Sequence, residues 1–193
     1  SDYTIREYIR NFIMSKLETN TIDTVSGTTN LTIGSTNSST VTFENGATTG
    51  HNYPSFLVNS TVTTNQSVSS GAATKVTFDR VDHDTNSGWD SSNNKWVVPS
   101  NMAGRYMIVA GLGGHTGSND LSAFQLLLRL NGSNIYTQQH QTPNKRHAEH
   151  SCAVVRSLSV GDYLELFGNA TGTSPVFRKD FNSCWLGAYR IGA

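Results

Sequence analysis

Several groups of residues in this chain have types and spacings that invite chemistry. Asp82, Asp84, Asn86 and Asp90 offer hard oxygen donors at the spacing with which a calcium loop begins. The pattern then fails. Gly88 arrives one position late for the sharp turn, Asn93 stands where a bidentate glutamate belongs, and no helix flanks the segment. A solvated connection between strands is the preferred reading, with calcium as the weaker alternative, and no cofactor is expected. His140, His147 and His150 lie close in sequence, and a histidine on a three-fold axis would be triplicated into a three-nitrogen metal site. Sequence proximity does not make side chains converge, so solvent-facing histidines and no metal are expected. The glycine-rich run from Gly111 to Gly117 follows an apolar strand but opens no helix, so it lacks the helix N-terminus that holds a phosphate and is read as a loop. Serines, histidines and aspartates suffice on paper for a hydrolytic triad. No Gly-x-Ser-x-Gly elbow positions a nucleophile, however, and Glu149 and Glu165 have no evident partner carboxylates. The chain reads as non-enzymatic.

Composition narrows the field further. The 193 residues suit one sizeable domain with a short appendage. Fourteen basic residues balance 14 acidic ones, which gives no electrostatic footprint for nucleic acid or an anionic membrane. No apolar run approaches the ~18 residues of a membrane span, and no leader is evident, so a soluble chain without membrane insertion is expected. Cys152 and Cys184 are the only cysteines. Buried thiols are preferred to a bridge between neighbouring strands, as suits assembly in a reducing cytoplasm.

The elements that would carry these residues fall into three segments: 1–20, 21–53 and 54–193. In the first, Ile5, Tyr8, Ile9, Phe12, Ile13 and Leu17 recur on one helical face, with Thr4 and Glu7 as a capping box. So short a helix is marginal alone, so its apolar face is expected to dock on a partner and attach the chain to a larger assembly. The second segment is dominated by Thr, Ser, Asn and Gly. It holds two similar short strands, around Leu31 and Ile33 and around Val41 and Phe43, which have too little apolar surface to fold singly. Three chains side by side would bury them, so an ordered trimeric shaft is preferred to a flexible linker. Its composition is similar to that of the short-stranded shafts of virion fibres.

In the third segment Val76, Phe78 and Val81 alternate with polar residues. A polar loop then leads to Trp89 and Asp90, and Lys95–Val98 stops at Pro99. Arg105–Ala110 is a nearly continuous apolar strand. Asn131-Gly132 between Phe124–Leu130 and Ser133–Gln138 is a strong hairpin signal, because a type I′ turn needs positive φ at both central positions. An edge strand is expected within 62–68, a loop at 111–120 and a polar connection from His140 to His150. Further strands near 150–158, 162–168 and 183–191 bring the count to about ten, an all-β jelly-roll sandwich.

The order Val76-Thr77-Phe78-Asp79, Trp89-Asp90, Trp96-Val97-Val98-Pro99, Gly104-Arg105-Tyr106, Leu130-Asn131-Gly132, Leu158–Leu166 and Trp185-Leu186-Gly187 resembles the globular head of complement component one-q and its tumour-necrosis-factor-like relatives. The resemblance covers roughly Pro54 to the end. It departs from the family at Trp185, where Phe is usual, and in lacking a preceding collagen stalk. It implies a jelly-roll protomer that forms a homotrimer around an apolar, aromatic-lined axis. Together with the shaft-like segment, it leads us to expect a virion structural protein of a bacteriophage, assembled in the host cytoplasm. Such a protein would be a capsid-decorating cement protein or head fibre, held to capsid or tail proteins by its N-terminal arm, with the knob displayed for adhesion to a host-surface glycan. Trp89, His115 and Ser174 are the candidate surface contacts. The alternatives are a tail-fibre receptor-binding tip, a secreted trimeric complement- or cytokine-like ligand, and a carbohydrate-active enzyme on the same fold.

Overall fold

A computed structural model describes residues 54–61 and 64–192. The expected attachment helix of 1–20 and shaft of 21–53, with all their named apolar residues, lie outside the described residues.

The strands are β1 (Ser55–Asn59), β2 (Gln66–Ser67), β3 (Thr74–Lys75), β4 (Arg80–Asp84), β5 (Trp89–Asp90), β6 (Lys95–Val97), β7 (Gly104–His115), β8 (Leu121–Leu130), β9 (Ser133–Lys145), β10 (His147–Leu158), β11 (Tyr163–Thr171), β12 (Val176–Phe177) and β13 (Trp185–Gly192). All pairings are antiparallel and make two sheets. The first runs β4, β1, β13, β7, β10, with β12 continuing beside the far end of β7 and β2 pairing β12. The second runs β5, β6, β11, β8, β9, with β3 beside β11. About ten strands were expected; the 13 segments include eight strands of five residues or more. Two packed antiparallel sheets of this kind form a jelly roll.

Period-two alternation sends one set of side chains between the sheets. Tyr106, Ile108, Ala110 and Leu112 of β7 face Phe124, Leu126 and Leu128 of β8 and Leu164 and Leu166 of β11 across the core. Trp96 is its aromatic centre, stacked on Phe56 at 4.7 Å between ring centroids and edge-on to Tyr106 at 5.5 Å. Each such fully buried side chain contributes roughly 1.5–3 kcal/mol from removal of apolar surface from water.

Turn chemistry sets the registers. Asn131 and Gly132, at φ 51° and 78°, join β8 to β9 in the expected hairpin. The Asn131 side chain donates to Asp162 and accepts from the Tyr163 amide, tying this turn to the start of β11.

Three expectations are corrected. The run 111–115 is strand, not loop: β7 continues to His115, because Gly111, Gly113 and Gly114 leave room for Trp185, Ser183 and Phe124, whose side chains occupy the space a Cβ would need. The segment from His140 to His150 is not an irregular connection either, since β9 runs to Lys145 and β10 starts at His147. Their polar sequence reflects outer-face and edge positions, where hydrogen-bonded backbone needs no apolar side chain. Finally, the edge strand of 62–68 shrinks to Gln66–Ser67 among the described residues. Nearby, the Gln66 side chain accepts from the Thr77 amide and donates to Lys75, standing in for ladder bonds where the chain around Val76–Asp79 leaves regular pairing.

Candidate functional site

The outward faces of the two sheets differ. On the second sheet, the rings of Tyr163 and Phe167 on β11 are covered by cations: Lys95 lies 4.8 Å from the Tyr163 centroid, and Arg129 and Lys75 lie 3.7 and 5.6 Å from that of Phe167. Lys75 also pairs with Glu165 at 2.5 Å. These rings are capped by charge and present a polar surface to water.

On the first sheet the same alternation places Met107 beside Tyr189 on one side and Val155 on the other, with Val109, Leu57 and Ala153 one pair further along. Among the described residues the outer members of this row stay open to solvent. Met107 is 39% exposed, Tyr189 38%, Val155 47% and Ile191, near the end of β13, 51%. Scattered exposed apolar residues are ordinary; a contiguous row across three paired strands marks a contact surface.

Past this row, toward the His115 end of β7, the face turns polar. The Trp185 indole lies over Gly111 and separates two hollows. One, of about 640 Å³, is walled by Glu149, Ser151, Arg178 and Ser183, and the other, of about 360 Å³, by Asn59, Arg80, Tyr189 and Leu57; Asn182 borders both. Arg178 is held by Asp180 at 3.1 Å and Glu149 at 3.6 Å, while Ser183 donates to Glu149. Arg80 pairs with Asp82 at 2.6 Å. The Asn59 amide donates to Asp82, but its Oδ1 is buried without a partner.

Each proposed ligand set is placed by the fold. The calcium-like donors serve separate tasks: Asp84 accepts from the Gly88 and Trp89 amides, Asp82 binds Arg80 and Asn59, and Asp90 accepts from Asn93, whose side-chain hydrogen bond holds the Asp90 carboxyl below its usual range. The histidines form two pairs rather than a trio: His140 with His150 at 6.4 Å between centroids, and His147 with His115 at 5.4 Å. Among the described residues no three His, Cys, Asp or Glu side chains are grouped to hold a metal. Burial pushes His150 down, and burial with the charge of Arg178 does the same to His147. Cys152 and Cys184 are both buried free thiols, each pushed up to about 11 by burial.

Of the candidate contacts, Trp89 is half-buried, stacked toward Phe56 at 6.2 Å and edge-on to Phe78 at 5.8 Å, so most of its ring supports the core. His115 ends β7 beside Asn65, and Ser174 sits exposed on a turn at φ 51°. They are not neighbours of the Trp185 hollows. In the sequence Trp185 stands out as part of the last-strand motif of the resembled family and as a departure from it, not as a surface residue. The signal for its surroundings was the alternation of glycines at 111 and 113, legible only once those positions are known to be strand.

No family model and no curated protein matches this sequence. Among solved structures it is similar to murine APRIL at pH 5.0, with a TM-score of 0.55 and 12% identity over 72% of this chain and 99% of that one. It is also similar to the globular domain of zebrafish complement 1qA protein, at 0.51 and 17%, over 72% of this chain and 96% of that one. The fold is that of the complement-one-q and tumour-necrosis-factor jelly rolls. Within it, β13 and β7 form the middle of the sheet that carries the exposed apolar row.

Proposed function

We propose that the protein is a homotrimeric structural appendage of a virion, a capsid-decorating cement protein or head fibre. Residues 1–20 attach it, 21–53 form a short shaft, and the jelly roll is the outward-facing knob. The observation that carries the trimer is the exposed row of Met107, Val155, Tyr189 and Ile191 on one sheet, set against the charge-capped rings of the other. Burying this row between copies recovers roughly 25 cal/mol per Å² of apolar surface. Closed three-fold symmetry uses every copy of the patch. The attachment role rests on the amphipathic spacing of Ile5, Tyr8, Ile9, Phe12, Ile13 and Leu17.

Native mass of the full chain and of a chain beginning at Tyr53 tests the reading: both should be trimers, with only the full chain retained on particles. A monomeric knob would overturn the trimer. Recovery from culture medium rather than from purified particles would overturn the virion role in favour of a secreted ligand.

A further inference from the structure

We propose that the His115 end of the sandwich is an acid-sensitive clasp: the neutral ring of His115 bridges β7 to Asn65 and to the loop after β12, and the imidazolium releases that bridge. The inference stands apart from the virion reading and needs neither particles nor the N-terminal arm.

Hydrogen-bond direction carries it. The backbone N–H of Lys179 can only donate, and it meets Asn65 Oδ1 at 3.0 Å. That contact sets the amide the other way round at its far side, with Nδ2 toward His115 Nε2 at 3.2 Å. Because Nδ2 also only donates, Nε2 must hold a lone pair. The ring proton then sits on Nδ1, 3.1 Å from the Thr116 carbonyl oxygen that accepts it. The Nδ1–H tautomer satisfies both neighbours. A proton on Nε2 sets donor against donor, and turning the Asn65 amide over to meet it would set its nitrogen against the Lys179 N–H instead. No rotation of Asn65 satisfies both partners once the ring is charged.

The surroundings offer the imidazolium little return. His147, opposite His115 in the β7–β10 ladder, lies 5.4 Å away between ring centroids, and burial, followed by the charge of Arg178, holds it below its ordinary range. The charged groups around this pair are Arg146, Arg178 and Asp180, with Lys179 and Glu149 beside them. Both carboxylates are already engaged by Arg178, and the Lys179 ammonium donates to Thr77. Three stretches distant in sequence meet at the one ring: Asn65 just before β2, the end of β7, and the loop at 178–180, whose Arg178 amide donates to Gly113. Losing the Asn65 bridge therefore loosens a junction, not a single contact.

The test is NMR on the full-length protein, reading the ring nitrogens of His115 and the exchange protection of the Lys179 amide. At about pH 7.5, above the ordinary histidine range, the ring should be the Nδ1–H tautomer. As it titrates toward about pH 5, Lys179 protection, corrected for intrinsic exchange, should fall about tenfold or more while the β8–β11 ladder keeps its protection. Asn65→Asp, whose carboxylate accepts from an imidazolium, should keep the Lys179 amide protected at the lower pH. His115→Gln, with no titrating ring, should show no acid step. An Nε2–H tautomer at the higher pH overturns the inference, as does protection that ignores the titration of His115. So does an Asn65→Asp variant that opens as the parent does, or a β8–β11 ladder that loses protection in parallel, which would be global unfolding.

Discussion

Gly168 on β11 lies where Leu112 and Phe177 close over the backbone, and a methyl group there would meet both side chains. Gly168→Ala should therefore lower unfolding free energy by about 1–3 kcal/mol, the usual cost of overfilling a packed core, read as a lower denaturation midpoint at unchanged slope. At the same scale, His150 sits against the Phe124 ring at 5.2 Å, and its burial disfavours the imidazolium. The native state thus takes up this proton at lower pH than the unfolded chain. Between the unfolded value of about 6.5 and the lower native one, unfolding binds a proton, so stability is full above that window and falls as pH drops through it. His150→Gln should flatten thermal midpoints between pH 7 and 5 relative to the parent. The buried thiols Cys152 and Cys184, pushed up to about 11, should resist alkylation at pH 8 in the native protein and react only on unfolding.

Among the elements, the β8–β9 hairpin is the clearest case of local sequence deciding structure. Asn131→Ala removes a side chain that tolerates positive φ and two hydrogen bonds to Asp162 and Tyr163. A loss of about 1–2 kcal/mol in chemical denaturation is expected. That hairpin, the apolar run of β7 and the strand near the C-terminus were legible because each has a short-range signature, a turn pair or an alternation. The continuation of β7 through Gly111, Gly113 and Gly114 was not, since glycine is read as loop until the rings that need its space are known. The continuation of β9 and β10 through 139–149, beyond the strands read at 133–138 and 150–158, escaped for the same reason: its pairing with β8 and β7 is a long-range fact, and the apolar signal was carried by the partners. The hollows at Trp185 draw on β1, β4, β7, β10 and β13, and no window of sequence joins Asn59 to Glu149 or Asn182.

For the molecule as a whole, the contrast between its two faces decides what it can assemble into. Val155→Asp with Met107→Asp would place carboxylates in the exposed row without touching the core, since both residues face away from it. The double variant should sediment as a folded monomer with its thermal midpoint measured alongside; a trimer that survives it would remove this row from the proposed interface.

The cation caps over Tyr163 and Phe167 bear on stoichiometry. In the proposed trimer the exposed row of the first sheet is buried between copies, and these capped rings of the second sheet stay at the outer surface. Uncapping Phe167 by neutralising Lys75 and Arg129 would add a second tacky surface on the opposite side, and the foreseeable outcome is runaway polymerisation into filaments rather than a better trimer.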